Sequence, residues 1–194
     1  MKTSSYFWVV VLTGLLGVNA AAAVEREFPT EWFAGTDEQQ ALHAAMEGQP
    51  MPALELEDWL NGQPTADELR GKIVVVDFWA VWCAPCMAAI PKKNALAASY
   101  ADDGVTVLGV YGSRIDPEKF RRVVTDKQIA YPTGRDASGD NVKAWRAMWM
   151  PTYAVIDRQG VVRAIGLAEF GYVEEVVKAL LEEQPAEASE GVSG

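Results

Sequence analysis

Cys83 and Cys86 are both of the cysteines in this 194-residue chain, set two residues apart within Phe78-Trp79-Ala80-Val81-Trp82-Cys83-Ala84-Pro85-Cys86. A thiolate that attacks a disulfide forms a mixed disulfide, and a second thiol at this spacing is placed to resolve it. A bridge between the two closes a very small loop and constrains little of the unfolded chain, so redox chemistry explains the pair better than stability does. The neighbouring residues narrow the field. Met87, not histidine, follows Cys86, which excludes covalent haem attachment. Two cysteines and the single His43 do not complete a four-ligand zinc set, and His43 is expected as a surface or packing residue. Copper(I) carriage is the non-enzymatic rival, with Cys83, Cys86 and Met150 as soft ligands.

Such chemistry needs the cysteines at a strand–helix junction. Ile73 to Trp79 is a nearly continuous apolar run, the pattern of a central strand covered on both faces. A helix then starts at the cysteines and runs towards Tyr100. Cys83 falls at its N-terminus, where unpaired N–H groups and the helix dipole favour a thiolate. It is therefore expected as the more exposed nucleophile. Cys86, one turn further in, faces the interior and needs a base to take its proton. Asp77, a carboxylate inside the apolar run, is the candidate, because burial brings a carboxyl's proton affinity nearer to that of a thiol. The alternative is a strand end at which Asp77 reaches solvent.

Around this junction the pattern alternates. Residues 24–35 read as an irregular lead-in, and Thr36 to Gln39 as a capping box before a short helix ending near Gly48. Ala53 to Glu57 alternates apolar and acidic residues, and Asn61-Gly62 signals a hairpin turn. A second capping box, Thr65 to Glu68, opens a helical turn that ends at Gly71. Val105 to Tyr111 reads as a strand, and Asp116-Pro117 as the start of a helix to about Gln128. Another helix is expected over Asn141 to Trp149, then strands Thr152 to Ile156 and Val161 to Ile165, then an amphipathic helix over Tyr172 to Glu183. Trp145, Met148 and Trp149 either line a partner face or fill the core. The fold class is α/β: a central mixed β-sheet with helices on both faces, an N-terminal extension and an inserted helix.

Lys2, the apolar stretch Tyr6 to Val18 and the small residues Asn19 to Ala23 have the order of a secretory signal peptide over residues 1–23, cleaved after Ala20 or Ala23. An uncleaved membrane anchor is the alternative, and no cysteine stands there to carry a lipid. Residues 24–49 form the extension and residues 50–183 the domain. Residues 184–194, rich in Pro, Ala, Ser, Glu and Gly, are expected to be disordered. The formal net charge of −10 and the lack of basic blocks give the chain no reason to bind nucleic acid. Export delivers it to an oxidising compartment, where a Cys83–Cys86 disulfide persists.

Asp77-Phe78-Trp79-Ala80, Trp82-Cys83-Ala84-Pro85-Cys86, Pro91 and Met150-Pro151-Thr152 resemble the thioredoxin family. Gly71 to Val75 leading into the motif, the apparent export and the insertion with Pro132 look like its TlpA/ResA-type thiol-disulfide oxidoreductases. The resemblance spans roughly residues 50–183 and implies a thioredoxin fold that uses no cofactor and no metal. It implies Cys83 as the attacking thiol, Cys86 as the resolving one, and Pro151 after a cis peptide bond beside them. Trp82, Ala84, Pro85, Met150, Pro151 and Thr152 would then line the client site, and Pro91 would kink the active-site helix. Two features depart from the family pattern. The lysine that faces this aspartate in thioredoxins is replaced near Gly109, and the acidic residue of ResA-type proteins is not evident around Gly112-Ser113. Because Ala84-Pro85 brings no histidine next to Cys83, a reducing couple is favoured over a thiol oxidase or isomerase. Such a reductase would be periplasmic, would draw electrons from a DsbD- or CcdA-like membrane thiol reductase, and would act on oxidised exported proteins. Apocytochrome c, during cytochrome c maturation, or a copper-site cysteine pair are the family-level clients.

Overall fold

Residues 26–112 and 117–183 are described by the computed structural model. The expected leader, the expected helix cap at Asp116, Ser113 and the expected disordered tail lie outside these residues. The apolar run expected as a strand is one: β2 (Ile73–Trp79) is buried at every position. It pairs in parallel with β3 (Val105–Tyr111) and antiparallel with β5 (Thr152–Ile156). Three further strands, β1 (Glu57–Leu60), β4 (Thr133–Arg135) and β6 (Val162–Ile165), complete a mixed sheet of order β1-β4-β3-β2-β5-β6.

Side chains of β2 alternate between two cores, as the period of a strand requires. Ile73, Val75 and Trp79 join one with the cysteines, while Val74, Val76 and Phe78 join the other. The first core is closed by α3 (Ala84–Ser99), α4 (Pro117–Asp126) and α6 (Phe170–Glu182). The second is covered by Met46 of the N-terminal extension, by Met51, Leu54 and Leu56 of the stretch that follows it, and by Trp145. Both capping boxes form, Thr36 with Gln39 ahead of α1 (Asp37–Ala44) and Thr65 with Glu68 ahead of α2 (Ala66–Leu69).

Two expectations need correction. Asn61-Gly62 does turn the chain, with φ of 61° and 109°, but makes no hairpin. β1 pairs instead with the distant β4, which the sequence reading passed over. The Asn61 amide donates to the carbonyls of Ile129 (2.6 Å) and Tyr131 (3.3 Å), so the turn residue ties down a remote segment. The inserted helix is shorter than Asn141 to Trp149: α5 covers Asp140–Ala144 and is stopped where Arg146 takes φ of 50°. Trp145 is buried against Phe78, Met148 is exposed, and Trp149 is half-buried, so these three residues divide between core and surface.

Candidate active site

Cys83 is the N-cap of α3, and its Sγ accepts the Cys86 backbone N–H at 3.1 Å. Pro85, in the first turn, has no N–H to compete for that sulfur. The two cysteines are joined, with Sγ atoms 2.03 Å apart and Cα atoms 5.2 Å apart. Cys86 is 0% exposed, and Cys83 is 3% exposed, not the open nucleophile expected from its helix-end position. The bridge and the N-cap contact fold its sulfur against the first turn. Exposed Trp82, Ala84 and Pro85 form the rim, with Trp82 at 67% exposure. Pro91 lies within α3, where its ring cannot donate the usual bond to the preceding turn.

The Met150–Pro151 peptide bond is cis, and both residues are half-buried. Register places this loop beside the cysteine turn, because Phe78 pairs with Thr152 at the end of β2 that leads into Cys83. Thr152, expected on the client face, is buried at 0% exposure. Its hydroxyl donates to the Trp149 carbonyl at 2.6 Å, so its side chain holds the loop together instead of meeting a client.

Asp77 does not reach solvent. It shares the cysteine side of the sheet with Val75 and Trp79 and is 0% exposed. Lys93 Nζ lies 2.6 Å from Asp77 Oδ2 with its side chain 1% exposed, and Tyr131 Oη donates to the same oxygen at 3.0 Å. Oδ1 accepts no hydrogen bond among the described residues. Burial, and then the neighbouring Asp77, push the Tyr131 phenol well above its ordinary value, so it remains a donor.

The sequence reading missed both partners of Asp77. Gly109 does stand opposite Asp77 in β3, but a Cβ there would run into the Thr133 hydroxyl and come within 3.1 Å of the Tyr131 ring. The space next to the carboxylate is filled by tyrosine and threonine, and the ammonium enters from α3 instead. A signal was present: Lys93 follows Cys86 by two helical turns, on the inward stripe Cys86, Ile90, Lys93. A lysine on a buried stripe implies a buried counter-charge. Among the described residues no three His, Cys, Asp or Glu side chains converge as a metal site would require, and no helix is long and apolar enough to cross a membrane.

The AhpC/TSA family model matches residues 47–165 of this chain. The thiol-disulfide oxidoreductase YkuV of Bacillus subtilis is 32% identical over 121 residues, covering 59% of this chain and 81% of that protein. The chloroplastic protein Suppressor of Quenching 1 of Arabidopsis thaliana is 36% identical over 116 residues, which is 55% of this chain but 11% of that much longer protein. A putative thiol:disulfide interchange protein DsbE from Chlorobium tepidum superposes with a TM-score of 0.64 at 24% identity, covering 70% of this chain and 97% of that one. At that identity the superposition speaks for the fold alone.

Proposed function

The chain belongs to the AhpC/TSA family, and from that membership and the cysteine geometry we propose an exported thiol-disulfide oxidoreductase that reduces disulfides of other exported proteins. The observation that carries the proposal is Cys83 at the N-cap of α3, bridged to Cys86, with a backbone N–H aimed at its sulfur. In the reduced protein the same N–H and the helix dipole stabilise a Cys83 thiolate.

The Cys83 thiolate attacks one sulfur of a client disulfide. A Cys83–client S–S bond forms, the client's own S–S bond breaks, and the second client sulfur leaves as a thiolate. Cys86 gives its proton to Asp77 Oδ1, the unpartnered oxygen, and attacks Cys83 Sγ. The Cys83–Cys86 disulfide closes and the remaining client sulfur is released. The client has gained two electrons and the protein has lost two. Lys93 and Tyr131 hold Oδ2 and fix which oxygen stays open.

The client lies along the rim of Trp82, Ala84 and Pro85 and against Met150-Pro151, whose imide nitrogen leaves the adjoining backbone free for an extended segment. A leader over residues 1–23 would place the protein outside the cytoplasm. A membrane thiol reductase of the DsbD or CcdA type would then return the two electrons. Apocytochrome c and copper-site cysteine pairs are the clients this reading favours.

Trapping tests the roles. Cys86→Ser is expected to accumulate mixed disulfides with clients through Cys83, while Cys83→Ser neither traps clients nor reduces insulin. Trapping through Cys86 in the Cys83→Ser variant would reverse the assignment.

A further inference from the structure

His43, expected as a surface or packing residue, is buried at 1% exposure between three elements: its own α1, the stretch from Trp145 to Met150, and the end of β6. Its Nε2 lies 2.8 Å from the Arg146 carbonyl oxygen. A carbonyl only accepts, so Nε2 carries the hydrogen and Nδ1 is the bare nitrogen of a neutral ring. Nδ1 has no partner. Burial, opposed by that carbonyl and reinforced by the facing charges of Arg26 and Arg146, holds the ring's pKa below its ordinary value. Gly166 gives the ring its space, because a Cβ there would overlap Nδ1.

The hydrogen bond falls on a residue that needs holding. Arg146 has φ of 50°, a left-handed conformation that non-glycine residues seldom adopt. Two links from α1 grip it: His43 binds its carbonyl, and its Nη1 donates to the Leu42 carbonyl at 3.2 Å. Trp149, directly before Met150-Pro151, packs on the same platform. Its ring centroid is 5.2 Å from that of His43, and it crosses Gly35 so closely that a Cβ there would lie 2.8 Å from Cη2. The N-terminal helix therefore holds the client loop at both ends of its approach.

We propose that α1 is part of the client site and that His43 is a positioning residue, fixing the loop Arg146 to Pro151 in the geometry that accepts an extended polypeptide. This rests on the thiol-disulfide reading above, and the two are separable. Bis(hydroxyethyl) disulfide reports the sulfur chemistry without needing the loop, whereas insulin needs both.

The test measures both substrates with His43→Leu, which fills the pocket but donates nothing, and His43→Gln, which keeps a donor at similar reach. His43→Leu is expected to raise KM for insulin about fivefold, the effect of one lost hydrogen bond to a carbonyl that keeps the Met148 N–H, with kcat held within about twofold. His43→Gln should return KM to within about twofold of the parent, and neither variant should change reduction of the small disulfide. Arg146→Ala, at an exposed side chain, should raise KM in the same direction by a smaller factor. A parental KM in His43→Leu, or a His43→Gln variant as impaired as His43→Leu, would overturn the proposal. A parent protein unable to reduce the small disulfide would instead overturn the functional reading.

Discussion

Replacing Lys93 by methionine removes the ammonium that faces Asp77 while keeping most of the side chain's volume. In the parent the two charges are 2.6 Å apart with side chains 1% and 0% exposed. Removing one member of such a buried pair strands the other, at a cost of about 3–5 kcal/mol. A domain of this size shifts its Tm by about 2–4 °C per kcal/mol, so a drop of about 6–20 °C is expected in the oxidised protein. That is a large share of a total stability of about 5–15 kcal/mol. Adding Asp77→Asn neutralises the stranded charge and still offers Tyr131 an oxygen. The double variant should therefore lose no more than about 2 kcal/mol, less than Lys93→Met alone, so the two substitutions are far from additive. Urea denaturation of the four proteins in the cycle measures this. A cost below about 1 kcal/mol for Lys93→Met, as for an exposed ion pair, would refute the argument that this pair is sealed from water.

Asp77→Asn should slow release of the client from the Cys83 mixed disulfide about tenfold or more at neutral pH, with first attack by Cys83 little changed; single-turnover quench separates the steps. Glu47 is pushed up to about 7, chiefly by burial and against the pull of Arg26. A carboxyl raised above its unfolded value holds its proton more tightly in the native state. Its contribution is therefore complete below about pH 4.5 and is lost as pH rises through about 7. The urea midpoint of Glu47→Gln, subtracted from that of the parent across this window, should isolate the falling slope.

Where the apolar pattern was nearly continuous, the sequence was a sufficient guide. Ile73 to Trp79, Val105 to Tyr111 and Thr152 to Ile156 are strands buried on both faces, and nothing local competes with that reading. The capping boxes were legible because their hydrogen bonds lie within four residues. The junction that sets Cys83 at the helix start was legible for the same reason. The errors share a different cause. Asn61-Gly62 has hairpin chemistry, but its strand is completed by Thr133–Arg135, a partner that local pattern does not specify. The inserted helix stops at Arg146 because α1 binds that residue from a hundred positions away. Asp77 was legible as a carboxylate inside an apolar strand, yet its ammonium was sought on the neighbouring strand. The approach of Tyr131 and Thr133 across Gly109 closes that place, and only the inward stripe of α3 pointed to Lys93.

The proposed function requires Cys83 and Cys86 to form a reducing dithiol. Equilibrating the protein against buffers of fixed thiol-disulfide poise and counting free thiols measures the potential of that couple directly. With Ala84 and Pro85 adding no positive charge beside Cys83, a reversible two-electron transition is expected at about −270 mV. A transition near about −120 mV, the range of a strong thiol oxidase, would contradict it.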